Sequence, residues 1–531
     1  MAMRGASGRR WCLWVAGSVL CALGAVSAFA WPHLFRYILH SQLQLSESSK
    51  SFEIWRDTPV PMSLTVYFFN WTNPNKLRTN EKPAFSEMGP YTFREFHEKV
   101  NLSFHENDTV TFQQVRTWKF DPSCSNGSLD DLVTTINVPP LTAAFVTRHW
   151  GFFVQSPLSY FMNRFESFTV TKTVGQLLFE GYEDPLIAVA ETLPALANVD
   201  IPFDRFGWFY TRNGSSVYDG IFNMDTGHDD INKLGRLREW NYSNRTDFYE
   251  DQCGDIVGSA GELWPPGRTK DSISMFSSDL CRSIELPFAS ELELMGVPAY
   301  RFEGGPNLVD NGSLDAHNGC YCGGQCLPVG VVNASSCRYG SPAFVSFPHF
   351  LHADPYYASL IQGMSPDPKR HSFYITVEPK TGIPMDVAAR LQINILMQPI
   401  KHVSMYEGVP MAFFPMIWFE QTATMTDEMA SSLRLLLGVA KWGAPLCAAT
   451  LVVPGLALLV LAARACSSAR SHQTLEMKIH SLSDATRIMQ PLVATDKRAK
   501  AALVSSPSQR RAPCAVQEDD DTDEFNSRVQ H

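Results

Sequence analysis

The sequence predicts a mixed α+β protein, in which a large β-rich body lies between two transmembrane helices. Two uncharged, mostly apolar runs predict the helices, residues 11–30 near the start and residues 444–463 near the end. Each run has the ~20 residues that a helix needs to cross a bilayer. The residues between them, 31–443, alternate short strand-like runs with turn residues, and helical stretches interrupt the strands.

Basic residues lie just before the first apolar run and just after the second. Arg4, Arg9 and Arg10 precede the first run, and Arg464 and Arg470 follow the second. Because such charge favours the cytosolic side, residues 1–10 and 464–531 are predicted to be cytosolic and residues 31–443 extracellular. Ala28-Phe29-Ala30 also fits a signal-peptide cleavage site, but the apolar run exceeds the usual length of a signal peptide's apolar core, which favours a retained span.

Glycosylation sequons support this orientation, since all nine lie between the two apolar runs and none lies in the tails. Such sequons mark a lumenal or extracellular surface. The predicted glycosylation sites are Asn70, Asn101, Asn107, Asn126, Asn213, Asn241, Asn244, Asn311 and Asn333.

Seven of the twelve cysteines lie in the same region, where an oxidising compartment makes disulfides the default. The odd number leaves one thiol over, and Cys124 is the candidate because it is far in sequence from the other six. Those six allow fifteen pairings, which spacing alone does not resolve. Their spacing disfavours zinc, so no metal site is predicted. Cys466 and Cys12, at the predicted cytosolic ends of the spans, are candidate palmitoylation sites.

The region between the spans reads as a β-rich body with helical insertions. Strands are predicted at residues 64–69, 109–112, 207–210, 343–347, 372–377 and 391–397, and helices at residues 139–147, 159–168, 174–179 and 184–196.

No catalytic motif or cofactor-binding motif was found, so the sequence favours a protein without enzymatic activity or cofactor. His349 and His352 are interpreted as structural hydrogen-bonding residues rather than metal ligands. The net charge of −10 gives no indication of nucleic-acid binding. An acidic cluster at residues 518–524 is interpreted as part of a solvated, disordered tail.

Small residues on the first apolar run, Gly17, Cys21 and Gly24, fall on roughly one helix face. Such a face allows close helix contact in lipid. Two interpretations are open: association of two copies into a homo-oligomer, or packing against the second span.

Several motifs resemble the class B scavenger receptor family, and they occur in family order across nearly the whole region between the spans. The resemblance rests on Tyr67-Phe-Phe-Asn-Trp-Thr-Asn-Pro74, Glu87-Met-Gly-Pro-Tyr-Thr-Phe-Arg-Glu95, Gly181-Tyr-Glu-Asp-Pro185, Phe276-Ser-Ser-Asp-Leu-Cys-Arg-Ser-Ile284, Gly296-Val-Pro-Ala-Tyr-Arg-Phe302, Ser365-Pro-Asp-Pro-Lys-Arg-His-Ser372, Glu378-Pro-Lys-Thr-Gly-Ile-Pro-Met385 and Trp418-Phe-Glu-Gln421.

The resemblance implies an antiparallel β-barrel-like ectodomain, a helical bundle at its apex (residues 139–179) and a lipid tunnel toward the bilayer. It implies lipoproteins or other lipid carriers as partners, with cholesterol, cholesteryl esters or fatty acids as cargo. It also implies the disulfides Cys253–Cys320, Cys281–Cys337 and Cys322–Cys326. Asp386 stands where a relative has a free cysteine, so no role of that thiol is carried over.

The resemblance also implies a cationic ligand-binding patch at the apex. Arg164 aligns with an apical lysine of a fatty-acid-transporting member, while Glu166 replaces the neighbouring one. Arg148, His149 and Lys172 are candidate substitutes, and ordinary surface charge is the alternative interpretation. Nearby aromatic residues are either helix packing or an apolar docking patch: Phe152, Phe153, Phe161, Phe165 and Phe168.

The tail lacks the acidic-dileucine ending of the family's lysosomal member, which favours the plasma membrane. Two alternative functions stay open: an endocytic or phagocytic pattern-recognition receptor, and a lysosomal trafficking receptor for a soluble enzyme.

Overall fold

A computed structural model describes residues 2–79, 81–192, 203–324 and 326–489. The described residues divide into two compact units, one within 1–22 and 451–531 and the other within 23–450. The helices are α1 (Ala2–Leu43), α2 (Lys50–Arg56), α3 (Val138–Val146), α4 (Phe152–Phe165), α5 (Pro185–Thr192), α6 (Pro355–Ser359), α7 (Pro368–His371) and α8 (Asp427–Met489).

The second unit is built on antiparallel strands. They are β1 (Met62–Trp71), β2 (Phe85–Phe104), β3 (Thr109–Phe120), β4 (Leu132–Ile136), β5 (Thr169–Thr173), β6 (Phe222–Asp225), β7 (Leu237–Trp240), β8 (Ser272–Ser277), β9 (Arg282–Leu294), β10 (Val297–Glu303), β11 (Val332–Asn333), β12 (Ala343–Ser346), β13 (Tyr374–Val377), β14 (Pro384–Met397) and β15 (Ala412–Thr424).

Thirteen strands form one sheet in the order β7-β6-β3-β2-β1-β15-β14-β13-β10-β9-β8, with β12 and β11 branching from β14, while β4 and β5 form a separate pair. Ser259 nearly closes the sheet, because it bridges Arg236 beside β7 on one side and Met275 of β8 on the other. A closed sheet leaves few unpaired edge groups exposed. The predicted mixed α+β fold with a barrel-like antiparallel body is confirmed.

The strands that come first and last in the chain, β1 and β15, are neighbours near the centre of the sheet. β1 pairs with both β2 and β15, and Tyr67 of β1 stacks on Trp418 of β15 with ring centroids 3.9 Å apart. The largest fully buried side chains include Trp71, Trp418 and Tyr91. This aromatic interior explains why the motifs around residues 67–74 and 418–421 are rich in aromatic residues.

Among the residues that the structure describes, two helical stretches are long and apolar enough to cross a membrane, Trp11–Leu43 and Asp427–Leu482. Both helices extend beyond the apolar runs from which the spans were predicted. In the first unit, a Cβ added to Gly17 would lie 2.8 Å from the carbonyl oxygen of Gly455, and one added to Gly455 would lie 2.8 Å from Cys21 Sγ. The face of α1 that carries Gly17 therefore packs against α8 of the same chain.

Most predicted elements have a counterpart in the structure, but residues 207–210 form a turn instead of the predicted strand. The backbone N–H groups of Trp208 and Phe209 donate to the carbonyl oxygens of Leu177 and Leu178, each at 2.8 Å. These bonds attach residues 207–210 to the helical turn Gln176–Glu180 instead of to a neighbouring strand. Helix α4 also begins at Phe152, seven residues before the predicted start at residue 159. Of the predicted helix 184–196, residues 193–196 lie outside the described residues.

Candidate functional site

A cavity of about 940 Å³ lies between the helical region and the sheet. This is near the upper end of the usual range for ligand pockets. Its lining is mostly apolar and comes from α3, α4, α5, the turn after residue 203 and strands β12, β14 and β15. Representative lining side chains are Ala143, Phe161, Leu186, Ile393 and Phe419.

Residues at the helix starts explain where α3 and α5, two helices of this cavity wall, begin. Pro139 and Pro140 lie at the start of α3, where the missing N–H costs nothing and the fixed φ suits a helix. The side-chain oxygen of Asp184 accepts a hydrogen bond from the Leu186 N–H at 3.0 Å and so caps α5. Leu186, two residues after Asp184, lines the cavity.

Charged side chains interrupt the apolar wall, and two of them, Arg212 and Asp279, form an ion pair. The guanidinium of Arg212 lies 2.9 Å from Asp219 and 2.7 Å from Asp279. Burial alone would raise the pKa of Asp279, but the positive charges of Arg212 and Arg116 outweigh it and hold that pKa well below its usual range. Both ends of the pair are therefore ionised at neutral pH.

Helix α4 presents an aromatic surface to solvent. Phe153 is 90% exposed and Tyr160 is 74% exposed, and Phe152 and Phe165 are also exposed. Phe161 and Phe168 are partly buried and pack against the core. The exposed side chains of this helix, here called the α4 surface, are Phe152, Phe153, Tyr160, Arg164 and Phe165. Several exposed aromatic side chains on one helix favour an interaction site.

The four predicted cationic residues have different environments. Arg164 and His149 are exposed, and no ion pair involves Arg164 within the described residues. Arg148 folds back on its own helix, where its guanidinium lies 3.7 Å from the centre of the Phe145 ring and donates to the Phe145 carbonyl. Lys172 is partly buried, with its ammonium 4.9 Å from the centre of the Tyr182 ring. The structure thus leaves Arg164 as the most available cation of the predicted patch.

Comparison with known proteins then decides the family. A sequence profile of the CD36 family matches residues 15–466. The chain belongs to the CD36 family. Protein peste of Drosophila melanogaster is 39% identical over 425 residues, which cover 78% of this chain and 76% of that protein. Scavenger receptor class B member 1 of Cricetulus griseus is 34% identical over 441 residues (80% and 84%), and Lysosome membrane protein 2 of Homo sapiens is 31% identical over 407 residues (75% and 82%).

Membership of the CD36 family confirms the resemblance to class B scavenger receptors. With the two long apolar helices, it also identifies a membrane protein with two spans. The part of the chain that the structure describes has three disulfides, Cys253–Cys320, Cys281–Cys337 and Cys322–Cys326, which are the pairs that the resemblance implies. Cys124 is unpaired and exposed, Cys12 is exposed and Cys466 is partly exposed.

A pair of neighbouring acids in this CD36-family structure, the half-buried Glu166 and the buried Asp184, was not predicted from sequence. Glu166 follows α4 and Asp184 precedes α5, and the backbone N–H of Leu186 donates to both carboxyl groups, at 3.1 Å and 3.0 Å. Burial and the neighbouring charge of Asp184 raise the pKa of Glu166 to about 7. Burial likewise raises the pKa of Asp184. No sequence motif predicts that these two side chains approach each other, because only the packing of the helices brings them together.

His349 has a structural role, since its Nε2 lies 2.7 Å from a carboxylate oxygen of Glu87. Burial would raise the pKa of Glu87, but hydrogen bonds from His349, Arg370 and Trp418 outweigh it and lower that pKa to about 2. His352 lies against the ring of Phe347, with ring centroids 5.5 Å apart. Within the described residues, no three His, Cys, Asp or Glu side chains are grouped to hold a metal ion.

The nine sequon asparagines differ in exposure. Asn70 and Asn333 are partly buried, Asn311 is buried, and the others are exposed, namely Asn101, Asn107, Asn126, Asn213, Asn241 and Asn244. The side-chain nitrogen of Asn311 donates to the carbonyl of Leu327 at 3.0 Å. That nitrogen is the atom to which a glycan would be attached.

Proposed function

We propose that this CD36-family protein is a cell-surface scavenger receptor that takes lipid from lipoproteins or other carriers and passes it to the membrane through the ectodomain. The cavity is the observation that carries the proposal, since it offers about 940 Å³ of mostly apolar space next to the α4 surface. Cholesterol, cholesteryl esters and fatty acids are the cargo considered. Transfer needs no energy source, because lipid moves down its own gradient.

Physical chemistry supports an enclosed path. Moving hydrocarbon into water costs about 0.8 kcal/mol of free energy per CH₂ group, and an apolar cavity removes most of this cost. A receptor that offers such a path lowers the barrier to transfer without catalysing a reaction. We therefore infer that the chain is a receptor and not an enzyme.

Docking is assigned to the α4 surface, which combines exposed aromatic rings with the charge of Arg164. Aromatic rings suit the mixed polar and apolar surface of a lipoprotein, and Arg164 suits anionic ligands. We place residues 31–443 outside the cell, with both termini in the cytosol, in the plasma membrane. The tail after residue 489 lies outside the described residues.

The decisive experiment combines lipid extraction with a cavity-filling variant. Full-length protein is purified, and the lipids bound to it are extracted and measured by mass spectrometry. Ala143 lines the cavity, so Ala143→Trp fills space that lipid would occupy. Ala188 is exposed and does not line the cavity, so Ala188→Trp is the matched control.

We expect Ala143→Trp to lower bound lipid and cellular lipid uptake severalfold, with carrier binding unchanged, while Ala188→Trp behaves like the unmodified protein. Unchanged uptake in a well-folded, surface-expressed Ala143→Trp protein would show that lipid does not pass through this cavity. The chain would then be better described as an endocytic or phagocytic receptor.

A second candidate function is that of a lysosomal trafficking receptor for a soluble enzyme. Two observations favour it: the similarity to Lysosome membrane protein 2, and a pKa of about 7 for Glu166, which allows this group to change its protonation when a protein moves from a neutral to an acidic compartment. Surface biotinylation compared with lysosomal fractionation separates the two locations. A predominantly lysosomal pool would favour this candidate over the plasma-membrane receptor.

A further inference from the structure

The turn that joins β13 and β14 lies at the end of the sheet where α1 ends and α8 begins. It comprises residues 378–383, here called the basal turn. Strand β15 leads into α8, and its last residue, Thr424, pairs with the start of β14. Ile383 packs against two apolar clusters, one that includes Leu43 of α1 and one that includes Leu433 of α8. The basal turn therefore lies between the two helices that enter the membrane.

Exposed apolar side chains on these two helices indicate the level of the bilayer. Tyr37 and Ile38 are exposed on α1, and Leu435 and Trp442 are exposed on α8. Apolar helix surfaces of this kind are stable where lipid covers them, and tyrosine and tryptophan favour the head-group level. At a rise of about 1.5 Å per residue, Ile38 lies about 8 Å from Leu43, the last residue of α1. The end of the sheet that carries the basal turn is therefore close to the lipid head groups.

Two cations of this region have no acidic partner. Lys380 lies in the basal turn, and Arg268 lies in the neighbouring loop, where its backbone N–H donates to the carbonyl of Pro379 at 2.7 Å. Lys380 is exposed and Arg268 is partly buried. Within the described residues, neither side chain forms an ion pair, whereas the nearby Lys270 pairs with Glu291.

The acidic residue of the basal turn, Glu378, forms its bonds within the turn itself. Its side chain is buried, and its carboxylate accepts hydrogen bonds from the backbone N–H groups of Lys380 and Thr381 at 3.1 Å and 2.7 Å. The hydroxyl of Thr381 donates a third bond at 2.7 Å. These bonds hold the shape of the turn and leave the side chains of Lys380 and Arg268 available to another partner.

Arg268 also carries a donor without an acceptor. Its Nε is buried and has no hydrogen-bond partner among the described residues. Burial lowers the pKa of Arg268, because it disfavours the charged form of the side chain. An arginine nevertheless stays protonated in proteins, and a buried donor without a partner is costly. Such donors are usually satisfied by protein, water or ligand, and an anion would also compensate the charge.

We propose that Arg268 and Lys380 bind the phosphate of a phospholipid head group in the leaflet on the ectodomain side. A guanidinium offers paired N–H donors that match phosphate oxygens, and a lysine ammonium adds a point charge on a flexible stem. Every phospholipid carries this phosphate, so the contact requires no particular lipid class. The contact sets the height of the basal turn above the bilayer and does not depend on what the cavity holds.

The test measures how fast the amine of Lys380 is acylated by a water-soluble N-hydroxysuccinimide ester. Full-length protein is placed in nanodiscs of phosphatidylcholine or of digalactosyldiacylglycerol, which forms a bilayer without phosphate, and labelled peptides are quantified by mass spectrometry. We expect Lys380 to react severalfold more slowly in phosphatidylcholine, because a phosphate-bound ammonium is shielded and stays protonated. Lys82, an exposed lysine outside this region, should react at the same rate in both.

The central variant is Arg268→Gln, which removes one of the two cations. We expect it to raise the rate at Lys380 in phosphatidylcholine toward the rate in the galactolipid, whereas Arg268→Lys keeps the charge and should retain most of the protection. Lys270→Gln is the matched control, because it removes a neighbouring charge that already has an ion partner. It should leave the rate at Lys380 unchanged.

Equal rates at Lys380 in the two kinds of nanodisc would overturn the inference, even if the Arg268 variants failed to fold. A folded Arg268→Gln protein in which Lys380 stays protected by phosphatidylcholine would also contradict it. Millimolar inorganic phosphate, added to the galactolipid nanodiscs, should not reproduce the protection. Full protection by inorganic phosphate would assign the site to a soluble anion and would overturn the contact with the leaflet.

Discussion

Glu166 and Asp184 direct their carboxyl groups at the same side-chain amide, because Asn137 Nδ2 lies 3.3 Å from Glu166 Oε2 and 3.4 Å from Asp184 Oδ2. Asn137 precedes α3, Glu166 follows α4 and Asp184 precedes α5. One polar cluster therefore joins the ends of all three helices that form the cavity wall. Its protonation should control how firmly that wall is held.

The first prediction concerns pH. The folded-state pKa of Glu166, about 7, lies above its ordinary value, so the folded state binds the proton more tightly than the unfolded state does. The resulting stability is fully present below about pH 4.5 and is lost as pH rises toward about 7. The melting temperature of the full-length protein should therefore fall across this window, and Glu166→Gln should reduce the fall.

Glu183→Gln serves as the control for this pH prediction, because its carboxylate is 82% exposed. It should show the same pH dependence as the unmodified protein. If Glu166→Gln and the unmodified protein had parallel melting curves from pH 5 to 8, the acid pair would not be a pH-responsive element.

The second prediction concerns docking. Arg164→Glu should weaken binding of anionic vesicles severalfold at low salt, because Arg164 is exposed on the α4 surface. Lys172→Glu should have a smaller effect on vesicle binding, since the lysine is partly buried against Tyr182. Both effects should disappear near about 0.5 M salt, where screening is strong. Lys50→Glu on α2 is the control for charge, and an equal loss with that variant would argue against a localised site.

The third prediction concerns glycosylation. Single Asn→Gln changes at the exposed sequons should each remove one glycan and increase gel mobility. Asn311→Gln should cause no shift, because the Asn311 side chain is buried and its nitrogen is hydrogen-bonded to Leu327. A glycopeptide that carries a glycan on Asn311 would contradict the structure at this loop.

The fourth prediction concerns the contact between α1 and α8. Gly17→Leu should lower the melting temperature in detergent, because a side chain there meets Gly455 and Leu459. Ala16→Leu, on an exposed position of the same helix, is the matched control. Chemical crosslinking of copies should be the same for both variants. A loss of crosslinked dimers by Gly17→Leu with an unchanged melting temperature would assign this face to self-association instead.

Elements that depend on the local order of polar and apolar residues were predicted correctly from the sequence. Residues 391–397 alternate polar and apolar side chains and lie within β14, and the apolar runs lie within α1 and α8. Residues 207–210 have strand-like composition, yet the N–H groups of Trp208 and Phe209 bond to the helical turn Gln176–Glu180, so tertiary contacts override the local preference. The cysteine pairs came from family resemblance, since spacing alone allowed fifteen arrangements.

Contacts between distant segments were beyond sequence reasoning. Arg212 and Asp279 are 67 positions apart, and neither lies in a motif that signals burial or pairing. The same holds for Glu166 and Asp184. The cationic patch was predicted as four residues, but the packing of Arg148 on Phe145 and of Lys172 on Tyr182 depends on side-chain directions that residue type does not reveal.

The pairing of the first and last strands also constrains how the protein is made. Ser63 Oγ of β1 and Thr422 Oγ1 of β15 lie 2.7 Å apart, although the two residues are 359 positions apart in the chain. At ~5–20 residues per second, the ribosome needs on the order of 20–70 s to deliver the partner of β1. During that time an apolar central strand has an open edge. The nascent chain therefore carries an unpaired strand edge until the last strand is translated, and a premature stop before residue 412 removes the partner strand altogether.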